Sequence, residues 1–145
     1  MNFSIDVPQA DIALQVAAEA AAADHLAREL PPELSHTLVR IMKWRDCTVD
    51  ELAEGALLST KTIQRIRNGD VTEPKIETSS AIVVYLQLPD PLLDAFMQRT
   101  GKVYTPTVEH QIMRSLVYRA YGRFTVNDVN EALRAQGMEE LTGKE

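Results

Sequence analysis

Thr48–Gly69, TVDELAEGALLSTKTIQRIRNG, is the stretch of sequence that decides the fold of this chain. Thr48 is followed three residues later by Glu51, which is the capping-box pattern that opens a helix. Ser59 is a second N-cap residue, and it precedes a helix from about Thr60 to Arg67. The stretch therefore predicts two short helices joined by a tight turn.

Apolar residues recur at helical spacing in both of these helices, so we expect one face of each to point into a core. Asn68-Gly69 supplies the left-handed residue that commonly ends a helix. Ala53 is expected where the two helices cross closely and a larger side chain would clash. The residues expected to seal the pair against the core are Leu52, Leu58, Ile63 and Ile66.

The second helix carries Lys61, Arg65 and Arg67 with no acidic residue between them. A pair of short helices whose second member is basic is typical of a helix-turn-helix, in which the second helix can lie in the DNA major groove.

The motif residues resemble those of the phage-repressor (Cro/cI, xenobiotic-response-element) type helix-turn-helix family. With its flanking helices the resemblance extends from about Ser35 to Leu88. It implies a five-helix domain that binds double-stranded DNA, commonly as a dimer. The residues that carry it are Thr48, Glu51, Leu52, Ala53, Leu58, Ser59, Thr62, Ile63, Arg65, Ile66, Asn68 and Gly69.

Four residues of the second helix fall on one exposed face, and by analogy with the family they are the candidates for contacts to base edges: Thr60, Lys61, Gln64 and Arg65. Lysine and arginine can read guanine, and glutamine can read adenine. The resemblance gives Thr62 and Asn68 as candidates for phosphate contacts, and Arg67 and Lys75 are nearby cations that can serve the same purpose.

Two positions depart from the family pattern. Val49 stands where the family usually has a glutamine that supports a phosphate contact, so we expect one such contact to be missing. Leu57 stands at a turn position commonly held by glycine, where a left-handed conformation costs other residues about 1–2 kcal/mol. Either the turn is reshaped, or the core absorbs that cost.

The Ala-rich stretch Pro8–Leu30 predicts an N-terminal helix. Its apolar stripe comprises Ile12, Val16, Ala20, Ala23, Leu26 and Leu30. This stripe fits either a helix packed on its own domain or an arm that forms a dimer, because periodicity does not identify the partner surface.

Three further core helices are expected: one starting near Glu33, one over Ile76–Leu86, where a strand is the alternative, and one after Asp90. Asp90-Pro91 predicts an N-cap and first turn for a helix that ends at Gly101. Together with the two motif helices, these make five core helices.

The remainder of the chain predicts a helical hairpin. Thr105-Pro106 opens its first helix, whose stripe is Val108, Ile112, Leu116 and Ala120 and which Gly122 closes. Thr125 and Asp128 open its second helix, which stops at Gly137. We thus predict an all-α protein with an N-terminal arm (1–32), a helix-turn-helix domain (33–102) and a C-terminal hairpin extension (103–145).

The bulk composition restricts the function classes. The net charge is −6, but residues 1–34 carry −5 and residues 35–87 carry 0, so the acidity lies away from the basic helix. No apolar run is long enough for a membrane span, and we expect a cytoplasmic protein. One cysteine and three isolated histidines predict no metal site, and we expect no cofactor and no enzymatic activity, since no catalytic motif occurs.

The function that these features favour is sequence-specific DNA binding by a transcriptional regulator, with repression as the expected sign. The alternative is a protein-interaction module, such as an antitoxin or adaptor, that uses the fold without reading DNA and binds a partner through its N- or C-terminal helices. Val49 and the net acidity favour the alternative, whereas the basic second helix favours DNA.

Overall fold

The computed structural model describes the backbone of residues 3–143 and the side chains of residues 11–143. All regular secondary structure in that part of the chain is helical, as predicted. The eight helices are α1 (Phe3–Glu29), α2 (Leu34–Trp44), α3 (Val49–Ala56), α4 (Thr60–Asn68), α5 (Ile76–Tyr85), α6 (Asp90–Arg99), α7 (Val108–Tyr118) and α8 (Val126–Ala135).

Helix α5 is the centre of the packing, since it contacts α3, α6, α7 and α8. It is buried on nearly all sides, which explains why its sequence lacks a polar face. The strand that remained possible over residues 76–86 does not form. Buried apolar residues from all eight helices join one connected core. Residues 11–18 of α1 are exposed and do not belong to it.

Helix α4 packs against both α2 and α3, and α1 packs against α6. Ile63 and Ile66 of α4 are completely buried, and so is Leu52 of α3. Burying side chains of this size stabilises the fold by about 1.5–3 kcal/mol each. The inward-facing residues predicted for the two motif helices are therefore correct.

The stripe predicted on α1 is buried over only part of its length. Ala23, Leu26 and Leu30 are in the core, whereas Ile12 and Val16 are more than half exposed. Residues 11–18 are all exposed, so within the part of the chain that the structure describes the first part of the stripe is left uncovered.

Two predicted helix starts are wrong. The N-cap of α6 is Pro89 and not Asp90. Asp90 is the first helical residue, where its negative charge interacts favourably with the positive end of the helix dipole. Thr105 does not open α7 either. The hydroxyl of Thr107 accepts a hydrogen bond from the backbone N–H of His110 at 3.2 Å, so the cap lies two residues later.

The ends of α1 and α7 also differ from the prediction. Helix α1 begins at Phe3, so Pro8 lies inside it and not in the first turn. Helix α7 ends at Tyr118, and Gly122 takes its positive φ of 71° in the connection to α8. Gly137, by contrast, follows the last residues of α8 with a φ of 75°, as expected of a helix stop.

The apolar face predicted for α7 is rotated. Val108 is 71% exposed, while Met113 and Val117 are buried. Ile112 and Leu116 are only partly buried at the edge of the core. The sequence of α7 carries two apolar stripes about 100° apart, and its contacts with α5 and α8 select the second one.

Across the described helices, none combines the length and the apolar character that a membrane span requires.

Candidate nucleic-acid interface

Helices α3 and α4 are joined by only three residues, Leu57–Ser59. The capping box predicted at the start of α3 is present. The Thr48 hydroxyl accepts from the Glu51 N–H at 3.1 Å, and the Glu51 carboxylate accepts from the Thr48 N–H at 2.9 Å. These two bonds satisfy donors that the helix leaves free, and they fix the start of α3.

The turn itself adopts a left-handed conformation at Leu57, with φ 58° and ψ 45°. Leu57 N–H donates to the Glu54 carbonyl, and Leu58 N–H donates to the Ala53 carbonyl at 2.9 Å. This is the bonding pattern of a Schellman motif, which usually has glycine at the left-handed position. The turn is therefore not reshaped to suit leucine, and the surrounding contacts must absorb the conformational cost.

Helix α4 is capped at both ends as predicted. The Ser59 hydroxyl accepts from the Thr62 N–H at 3.1 Å and lies 2.8 Å from the Thr62 hydroxyl. At the other end Gly69 is left-handed, with a φ of 83°. The side chain of Thr62 is therefore engaged in the cap, and it is half-buried.

The four candidates for base contacts all lie on the exposed surface of α4. Their exposure contrasts with Ile63 and Ile66, which lie on the opposite side of the helix and are completely buried. A helix held by one apolar face presents its other face as a rigid surface. The exposed residues are Thr60, Lys61, Gln64 and Arg65.

The candidates for phosphate contacts are more dispersed. Asn68 is exposed at the last position of α4, and Lys75 is exposed at the N-cap of α5, beyond a six-residue connection. Arg67 is half-buried, and its Nε atom is buried without a hydrogen-bond partner. An unpaired guanidinium nitrogen is costly unless another group reaches it.

The cations of α4 form no ion pair within the described part of the chain. The ion pairs there lie in α1, at the start of α2, between α1 and α2, and between α8 and the C-terminal segment. None of them includes Lys61, Arg65, Arg67 or Lys75. Two further exposed cations that sequence reasoning did not single out, Arg40 and Lys43, lie on α2, which packs against α4.

The start of α3 is less suited to DNA. Val49 has an apolar side chain that is partly buried against the core, so it offers no polar group to a phosphate. Asp50 and Glu51 are exposed in the first turn. Their negative charges stabilise the helix end, but they repel a phosphate that approaches it.

The C-terminal segment contacts the turn between α3 and α4, and sequence reasoning missed this. The Thr142 hydroxyl donates to the Ala56 carbonyl at 2.6 Å. Asn130 of α8 holds the segment, since its Oδ1 accepts from Leu141 N–H at 2.8 Å and its Nδ2 donates to the Thr142 carbonyl at 3.3 Å. A short polar stretch after a helix stop gives no sequence signal for such a long-range contact.

The histidines and the cysteine have local roles. His25 pairs with Glu29, His36 pairs with Glu33, and the His110 Nδ1 accepts from Thr105 N–H at 2.9 Å. Burial, with Glu51 and Asp46 nearby, raises the pKa of the Cys47 thiol, which disfavours the reactive thiolate. Within the described residues, no group of three or more possible ligands is arranged to hold a metal ion.

A scan against protein-family models found no match for the chain, and searches of curated proteins and of solved structures found none either.

Proposed function

We propose that this chain is a sequence-specific double-stranded DNA-binding protein of the repressor helix-turn-helix type, which regulates transcription in the cytoplasm by placing α4 in the major groove. The observation that carries the proposal is the outer face of α4. Thr60, Lys61, Gln64 and Arg65 are exposed together there, and no described carboxylate pairs with either cation. Such side chains can bond base edges or phosphates, depending on their reach.

We further propose that it binds as a homodimer and represses the genes it binds. One helix with four outward side chains reads too few base pairs for specificity, and two-fold-related copies read half-sites about 34–36 Å apart. The uncovered apolar residues of α1 support self-association, because large exposed apolar patches commonly mark an interface.

The test is a selection of genomic fragments with the purified protein, followed by affinity measurements at several salt concentrations. We expect a palindromic site to be recovered. Lys61→Ala and Arg65→Ala should each weaken binding; a residue that touches phosphate should lower the salt slope by about one, and one that reads a base should relax specificity at that position.

Arg119→Ala is the matched control, because it removes the same charge from an exposed site at the end of α7. It should leave the recovered site and the salt slope unchanged. Failure to enrich any sequence at low salt would falsify the DNA-binding proposal, since non-specific attraction is strongest there.

A second candidate function is a protein-interaction module. The exposed Ile12, Leu14 and Val16 of α1 favour it, as do the acidic first turn of α3 and the absence of a polar side chain at Val49. In that case binding of the partner should be insensitive to Lys61→Ala and Arg65→Ala, and it should depend only weakly on salt.

A further inference from the structure

We infer that the C-terminal segment Leu141–Gly143 is a positioning element for α4, with Thr142 as the residue through which it acts. The inference rests on the proposed function, because it assigns the segment a part in DNA binding. It concerns residues that lie more than 70 positions from the turn in sequence.

The segment contacts the Ala56 carbonyl at the end of α3. Ala56 is the last residue of α3 and is completely buried, so water does not reach it. The last four carbonyls of a helix lack partners within that helix. Thr142 is itself only 7% exposed, and its hydroxyl supplies the missing donor at 2.6 Å.

Leu57, the next residue, holds the left-handed conformation that leucine disfavours. Gly143 lies close to its side chain, since a β-carbon added at Gly143 would be in van der Waals contact with Leu57 Cδ1 at 3.4 Å. The segment therefore contacts the two residues that set the direction in which the chain leaves α3 and enters α4.

The segment is anchored on α8. Asn130 is buried on α8, and its amide group is used on both sides, with Leu141 N–H and with the Thr142 carbonyl. Leu141 is buried in the core. The segment is thus attached to the body of the protein independently of the turn that it supports.

Loss of the Thr142 bond should lower the fraction of molecules that can bind DNA. If α4 has its DNA-reading orientation in only a fraction of molecules, the apparent dissociation constant rises by the inverse of that fraction. A loss of the Thr142 bond that leaves one molecule in ten competent should weaken DNA binding about tenfold. The salt slope should not change, because the same phosphates are contacted once binding occurs.

The experiment compares Thr142→Val, which keeps the size and removes the donor, with Thr142→Ser, which keeps the hydroxyl. The DNA probe is a pool of duplexes with a randomised central segment. The second readout is amide hydrogen exchange at Leu57 and Leu58, whose N–H groups form the bonds of the turn. Asn127→Ala, an exposed change on α8, is the matched control.

We expect Thr142→Val to bind DNA about tenfold more weakly with an unchanged salt slope, and to exchange faster at Leu57 and Leu58. Thr142→Ser and Asn127→Ala should behave as the wild type. If Thr142→Val does not fold, Thr142→Ala removes the same bond with a smaller side chain.

Unchanged exchange at Leu57 and Leu58 in a folded variant overturns the inference, whether or not DNA binds. Faster exchange with unchanged DNA affinity overturns it as well. A wild-type protein that binds no DNA overturns the proposed function, and the exchange result then decides alone whether the segment supports the turn.

Discussion

At the scale of single residues, Gly55 and Tyr85 show how a helix tolerates a residue that it usually disfavours. A β-carbon at Gly55 would lie 1.9 Å from Cε1 of the Tyr85 ring, a separation at which the ring must move. Glycine inside a helix costs about 1 kcal/mol relative to alanine. Glycine is needed at this position because the Tyr85 ring lies over the α3 backbone and leaves no room for a side chain.

We therefore expect Gly55→Ala to destabilise the wild-type protein, since the new methyl group displaces the Tyr85 ring. In a Tyr85→Ala background the same change should raise the free energy of unfolding by about 1 kcal/mol, because only the helix propensity remains. Urea unfolding of the four proteins of this double-mutant cycle measures the coupling. Additive effects of the two substitutions would contradict the prediction.

At the scale of elements, one polar cluster attaches the middle of α1 to the rest of the molecule. The Arg45 guanidinium donates to Glu19 Oε1 at 2.5 Å and to the Leu86 carbonyl at 2.8 Å. The Tyr121 hydroxyl donates to Glu19 Oε2 at 2.6 Å. Three separate elements meet at Glu19, so its charge contributes to holding α1 in place.

The hydrogen bond from Tyr121, followed by that from Arg45, lowers the pKa of Glu19. A carboxylate whose pKa is lowered on folding stabilises the folded state above its unfolded pKa of about 4.3. That stabilisation is lost as the pH falls below this value through the folded pKa. The protection factors of the α1 amides, which correct for the slower intrinsic exchange at low pH, should therefore fall in this pH range.

Glu19→Gln tests this contribution, because it removes the charge and nearly keeps the shape. We expect the variant to exchange faster in α1 at neutral pH and to lose the acid-dependent step. Asp24→Asn is the control, since Asp24 pairs only with Arg28 one turn away on the exposed surface. A step of equal size in Glu19→Gln and the wild type would show that other carboxyl groups cause it.

Sequence patterns correctly predicted those features that depend on residues close together in the chain. The caps at Thr48, Ser59 and Thr125 depend on residues three positions apart, and all three are present. The start of α7 was misplaced because Thr105 and Thr107 both fit a cap, and only the bond to His110 N–H distinguishes them. The buried face of α7 was predicted wrongly because its sequence carries two apolar stripes, and the contacts of α7 with α5 and α8 bury the second one.

Of the candidate interface, the sequence predicted which side of α4 is exposed, because Ile63 and Ile66 define the buried side. It did not predict the support from Thr142 and Asn130. Those contacts join residues that are far apart in the chain, and they involve polar types that are equally common in loops.

At the scale of the whole molecule, the charge is distributed unevenly. Residues 1–34 carry −5 of the net −6, whereas residues 35–87, which include α2 to α5, are neutral. Charges separated by more than about 10 Å are largely screened at 0.1 M salt. If the protein binds DNA, as we propose, the acidic first part of the chain should oppose binding most strongly at low ionic strength, where screening is weakest.

The first part of α1 also bears on the assembly of the molecule. Ile12, Leu14 and Val16 are 58%, 69% and 53% exposed, and Ile12 and Val16 continue the stripe that is buried further along the helix. If the protein is a dimer, as we propose, this is the surface that a second copy should cover. Ile12→Ser combined with Val16→Ser should then produce a monomer, because serine removes the apolar surface that association buries.

Sedimentation velocity over a range of concentrations measures this change, and the core should be unaffected because both residues are exposed. Val103→Ser is the matched control: Val103 is 78% exposed but lies between α6 and α7. A wild-type protein that sediments as a monomer at every concentration would contradict the homodimer. Dissociation of the dimer by Val103→Ser, with no effect of the α1 substitutions, would instead place the interface near the start of α7 and leave the apolar residues of α1 for a different protein partner.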